Sequence, residues 1–145
     1  MPSGEVTAIA IAAVRGDVPE PVERVRITAG HGIEGDYHAG VEGNVALTLI
    51  AEEALDGLQR DTGLDVSHAE TRRNVLTRGV DLNALVGKRF RVGDVECEGV
   101  ELCEPCRRLA RLVDELGVLR GLVHRGGLRA DVITDGEITV GDRVG

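Results

Sequence analysis

Apolar and polar positions alternate over short runs through most of the chain, and only a few stretches keep helical spacing. Glu5 to Val14 is rich in Val, Ile and Ala, and Val22 to Thr28 sets Val, Val and Ile against Glu and Arg. With Asp17 to Pro21 reading as a turn, these predict two strands in a hairpin or its near equivalent. A glycine-rich loop, Gly30 to Gly40, leads into a strand over Asn44 to Ile50 and an amphipathic helix over Ala51 to Asp61, closed by Gly63. Thr71 to Thr77 reads as a short strand and Val80 to Val86 as a connecting turn with helical character, ended by Gly87. Two echoes follow, Lys88 to Val95 and Glu137 to Val144, each an alternating strand running through Gly-Asp into another apolar residue. Val95 to Leu102 continues as a strand, and Leu128 to Thr134 is expected to pair with Glu137 to Val140 through Asp135-Gly136, a strong hairpin signal. Strands outnumber helices and no βαβ rhythm appears. The pattern predicts a mainly β (α+β) fold, a closed or nearly closed barrel of mixed or antiparallel strands with a few peripheral helices.

Length adds that 145 residues make one domain, 1–145, large enough to bury about 70% of its unfolded surface around a single core. Three cysteines, an odd number, with no secretory leader point to a reducing compartment, read as cytoplasmic. The apolar run Val6 to Val14 is too short to span a bilayer, so no membrane partner is expected. The net charge of −8 argues against nucleic acid, and one Tyr, one Phe and no Trp leave no stacking platform for single strands. The charge is unevenly spread: residues 1–71 carry a balance of −9, whereas residues 72–129 carry +4. Local positive charge of that kind suits a phosphate or carboxylate.

The chemistry concentrates in Glu101 to Leu116. Pro105 suits a first helical position, Glu104 places negative charge at the dipole's positive end, and Cys106 falls in the first turn. Leu109, Val113 and Leu116 follow at helical spacing, flanked by Arg107, Arg108 and Arg111. A thiol near a helix N-terminus and several cations ionises more readily than a free one, and Cys103 lies one turn upstream. The alternative is a small residue filling a core gap. Gly30-x-Gly32-x-x-Gly35 has the spacing of a dinucleotide fingerprint but opens into more polar, glycine-rich sequence instead of a helix. His31 and His38 lack a paired metal spacing.

In order along the chain, several fragments are similar to the molybdenum cofactor sulfurase C-terminal domain family, the MOSC domain. They are Gly35-Asp36-x-His38-x-Gly40, Arg72-Arg73-Asn74-Val75, Asp81-Leu82-Asn83-x-Leu85-Val86-Gly87-x-x-Phe90-x-Val92-Gly93-Asp94, Cys103-x-Pro105-Cys106-x-x-Leu109, Arg125-Gly126-Gly127-Leu128-Arg129-Ala130 and Gly141-Asp142-x-Val144. Gly43-Asn44 departs from an Arg-Gln pair that many members carry. The resemblance implies a MOSC-type barrel in which Cys106 carries sulfur as a persulfide or ligates the molybdenum of the pterin-based cofactor, bound permanently or in passing. It implies that Arg72 or Arg73 holds the pterin phosphate, with Asn74, Asp36, His38 and Arg107 as further cofactor-binding candidates and Cys103 as a resolving thiol. A cysteine desulfurase or an electron-transfer protein would act in trans; pyridoxal phosphate is not expected, Lys88 being the only lysine. Two alternatives stand beside the sulfur carrier: a molybdenum-dependent reductase of N-hydroxylated compounds, and a non-catalytic module in which Cys97, Cys103 and Cys106 with a histidine hold zinc.

Overall fold

A strand paired along both of its edges closes the structure. β1 (Gly4–Ile11) runs antiparallel to β6 (Val75–Arg78) on one side; on the other its first residues pair with β11 (Arg143–Val144) and its last with β2 (Glu20–Val22). From β6 the sheet continues through β5 (Leu47–Ala51), β9 (Leu128–Val132), β8 (Val95–Leu102) and β7 (Arg89–Val92) back to β11, making a seven-stranded barrel with β2 appended. A second sheet orders β10 (Gly136–Thr139), β3 (Arg24–Thr28) and β4 (Gly32–Ile33). The computed structural model describes residues 4–14, 17–36, 47–63, 65–71, 73–102 and 127–145.

Period-two alternation sends one face of each strand inward, and with almost no aromatics the interior is filled by branched aliphatics. Ile9, Val75, Leu49 and Leu128 lie side by side in register on four neighbouring strands, and all are fully buried. Val25, Ile27, Ile33 and Ile138 of the second sheet join the same cluster. Each such side chain contributes about 1.5–3 kcal/mol by leaving water.

β5 and β6 are parallel, joined through α1 (Glu52–Thr62) and α2 (His68–Thr71), so one βαβ crossover does occur where none was expected. It escaped notice because a single crossover sets no rhythm. α1 covers the outer face of the pair, which is why Ile50, on the opposite face from Leu49, is also buried, while Thr77 shares the inward face of Val75. Gly63 ends α1 as predicted, with φ 77° and its N–H donated to the Gln59 carbonyl at 2.7 Å. A 3₁₀ turn, Leu82–Leu85, occupies the predicted helical connection, and Gly87 follows at φ 76°.

Four local expectations change. The strand predicted over Val22 to Thr28 breaks at Glu23: β2 forms the hairpin with β1, while β3 leaves for the second sheet. Thr71 ends α2 instead of starting a strand. The Lys88–Val95 echo is a hairpin between β7 and β8, but Glu137–Val144 divides between two sheets, β10 against β3 and β11 against β1 and β7. Asp135-Gly136 likewise makes no β9–β10 hairpin. Gly136 is not among the positive-φ glycines that a type I′ turn needs, and the Asp135 carboxylate instead accepts the Ala29 N–H at 2.8 Å, steering the chain onto β3. Among the described residues no helix is long and apolar enough to cross a membrane.

Candidate functional site

Three of the predicted site residues meet at the end of β1. The Ala10 backbone is bonded twice to Asn74, donating its N–H to the Asn74 carbonyl at 2.8 Å while its own carbonyl accepts from the side-chain Asn74 Nδ2 at 3.3 Å. Two residues on, the Ala12 N–H donates to Asp36 Oδ1 at 3.0 Å. Asp36 is only 8% exposed, so its carboxylate acts as a clamp that docks the glycine loop on β1 and is no open ligand. Arg73 precedes Asn74 at the start of β6. Arg72, His38, Cys103, Cys106 and Arg107 lie outside the described residues.

From Asn74 a polar row runs across the outer face of the barrel. The Thr48 hydroxyl donates to Asn74 Oδ1 at 3.1 Å and accepts the Asn74 N–H at 3.0 Å. Thr48 is in register with Arg129, and Arg129 with Glu101, to which its guanidinium is ion-paired at 2.8 Å. Asn74 to Glu101 is three strand spacings, about 14 Å. At one end of the row stands Asn74, and at the other Glu101, which lies two residues before Cys103 in the sequence. The Arg129–Glu101 pair is partly exposed and contributes little to stability. Its importance is that it puts a guanidinium on the face shared with Asn74. Thr48, which fixes Asn74 twice, gave no signal in the sequence beyond a polar position in a strand.

A second feature is an open groove of about 600 Å³ between α1, the residues after β6 and the start of β9. Ala51, Ala54, Val80 and Leu82 make it apolar, with Asp81 and Arg60 on its walls, and Glu53 ties its two sides by accepting the Gly79 N–H at 2.8 Å. Gly127, the first described residue after Leu102, is part of its lining.

Cys97 does not belong to any site. It is fully buried opposite Phe90 and Val132, its thiol directed to the Val95 carbonyl at 3.9 Å. Burial, with Glu96 adding to it, pushes its pKa up to about 12. A zinc set built on Cys97, Cys103 and Cys106 would need a thiol sealed in the barrel core between Phe90 and Val132. Because the folded value is raised, Cys97 should resist iodoacetamide in the native protein and react once urea unfolds it. Its contribution to stability is intact below the ordinary thiol pKa of 9.0 and should drain away as pH rises toward about 12. Denaturation midpoints compared between wild type and Cys97→Ala across that range test the sign.

Against known proteins, the barrel is similar to the YUAD protein from Bacillus subtilis, with a TM-score of 0.86 at 17% identity over 99% of this chain and 94% of that one. It is also similar to YiiM from Geobacillus stearothermophilus (TM-score 0.75, 14% identity, 97% and 73% covered). YiiM from Escherichia coli gives a TM-score of 0.71 at 21% identity, covering 99% and 68%. At these identities the likeness establishes the fold. None of the curated proteins compared matches the chain. The family model described as the MOSC domain matches residues 34–145, from within the glycine loop through the Cys103-x-x-Cys106 motif to the C-terminus, and the chain therefore belongs to the MOSC domain family.

Proposed function

We propose that this protein is a molybdenum-cofactor-binding or sulfur-carrier domain in which the Cys106 thiolate accepts sulfane sulfur or ligates molybdenum. The observation that carries this is the family match over residues 34–145, which takes in Asp36, Arg73-Asn74 and Pro105-Cys106 together. The donor set fits the group chemically: guanidinium forks at Arg72 and Arg73 suit a phosphate, and a soft thiolate suits a thiophilic metal. Asn74 does not face the cofactor as a free amide, since its side chain is already bonded to Thr48 and Ala10. It fixes the backbone from which Arg73 projects. When bound, the cofactor would supply the redox-active metal centre.

As a carrier, the Cys106 thiolate attacks the terminal sulfur of a donor persulfide held by a separate cysteine desulfurase. The donor S–S bond breaks, the donor leaves as a thiolate, and Cys106 becomes the persulfide. Cys103 thiolate attack on the Cys106 sulfur would then release hydrosulfide and leave a Cys103–Cys106 disulfide.

Purification from a host that makes the cofactor, followed by molybdenum analysis and an assay with an electron donor and an N-hydroxylated compound, separates the roles. Molybdenum with turnover identifies the reductase, and molybdenum or persulfide without turnover the carrier. Neither metal nor persulfide would overturn both.

A further inference from the structure

The backbone of Arg73 is held from both sides by the two ends of α2. Thr71, fully buried, donates its hydroxyl to the His68 carbonyl at 2.6 Å, and the same oxygen accepts the Arg73 N–H at 3.2 Å. The His68 ring hydrogen-bonds the Arg73 backbone in turn. His68 Nε2 is buried and has no hydrogen-bond partner among the described residues. The donor to the Arg73 carbonyl is therefore Nδ1, and the ring is the neutral tautomer protonated there. Both backbone polar groups of Arg73 are thus engaged, while Asn74, the next residue, is fixed to Thr48 and Ala10.

We infer that His68 and Thr71 are positioning residues that hold Arg73 in place to receive an oxyanion, and that this clamp loosens when His68 is protonated. The inference rests on Arg73 being an anion-holding side chain, as proposed above. Protonation would place a second N–H on Nε2, where no acceptor stands among the described residues, in a site whose burial already holds the ring below its ordinary pKa of 6.5. β1, the strand packed against α2, carries no titratable side chain from Val6 to Ile11; the charged residues beside His68 in the chain are Glu70 and Arg73. The folded value is depressed, so the clamp is intact above pH 6.5 and is lost as pH falls through the lower folded value.

The test is a titration with sulfate, a dianion throughout the range, followed by the backbone amide resonances of Arg73 and Asn74 in steps from about pH 7.5, above the ordinary imidazole value, down to about pH 4, so that the lowered folded value is crossed. His68→Phe and Thr71→Val should each weaken sulfate roughly three- to tenfold at the higher pH, the worth of one hydrogen bond. His68→Asn, whose amide can donate from the Nδ1 position, should restore the affinity and abolish the acid loss seen in the wild type. If Arg73→Gln loses sulfate while His68→Phe and Thr71→Val bind like wild type, the clamp is wrong and the anion site stands. If Arg73→Gln also binds like wild type, both are wrong. Should the Phe and Val variants fail to fold, identical pH profiles for wild type and His68→Asn would still overturn the clamp.

Discussion

Gly127→Ala should lower the unfolding free energy by about 3–5 kcal/mol, the sum of overpacking and backbone strain. Gly127 precedes β9 with φ 109°, a conformation that side chains avoid, and a Cβ there would run into the Leu49 carbonyl of β5. Leu49 and Leu128 are the buried pair through which β5 and β9 meet, so neither strand can withdraw without opening the barrel. Gly30 supplies the control. Its φ is 73° but nothing lies within 4 Å of where a Cβ would sit, so Gly30→Ala should show the strain alone, about 1–2 kcal/mol. Urea denaturation of both variants gives the comparison, and equal losses would mean that close approach at Gly127 is unimportant.

Asp36→Ala should cost about 1.5–3 kcal/mol, the range for a hydrogen bond to a charged group whose partner is then left unpaired. The buried Ala12 N–H loses its acceptor, and the turn that Asp36 closes by donating its own N–H to the Ile33 carbonyl at 3.1 Å loses its tie to β1. Ile33 belongs to the core and β4 to the second sheet, so the loss should spread to that sheet. Asp36→Asn keeps an acceptor oxygen and should recover roughly half of the deficit on the weaker bond that a neutral group makes. Hydrogen exchange at Ala12 reports the same event locally: fast in Asp36→Ala, intermediate in Asp36→Asn.

The legible parts of this fold were those decided by neighbours in sequence. Gly63 caps α1 because a left-handed residue must end it, and β8 runs Val95–Leu102 as its alternation and the Gly93-Asp94 turn predict. What the sequence misled on was pairing across distance. Asp135-Gly136 has the composition of a tight hairpin, yet Ile138 and Val25 face each other across β10 and β3, and the Asp135–Ala29 bond commits the chain to that sheet. The same limit applies to the site. The Arg-Arg-Asn and Cys-x-x-Cys motifs could be read as chemistry, but that Asp36 is a backbone clamp, that Asn74 is spent on Thr48 and Ala10, and that His68 and Thr71 hold Arg73 all follow from contacts between distant or non-periodic residues. Cys97 shows the converse, a cysteine whose role is decided by burial alone.

The most direct measurement is mass spectrometry of the purified chain after exposure to a cysteine desulfurase and cysteine, with molybdenum analysed in parallel, on wild type and Cys106→Ser. The proposed function predicts one added sulfur mapped to Cys106, or molybdenum retained by the wild type, and the loss of both in Cys106→Ser. Persulfide and metal contents unchanged by that substitution would contradict it.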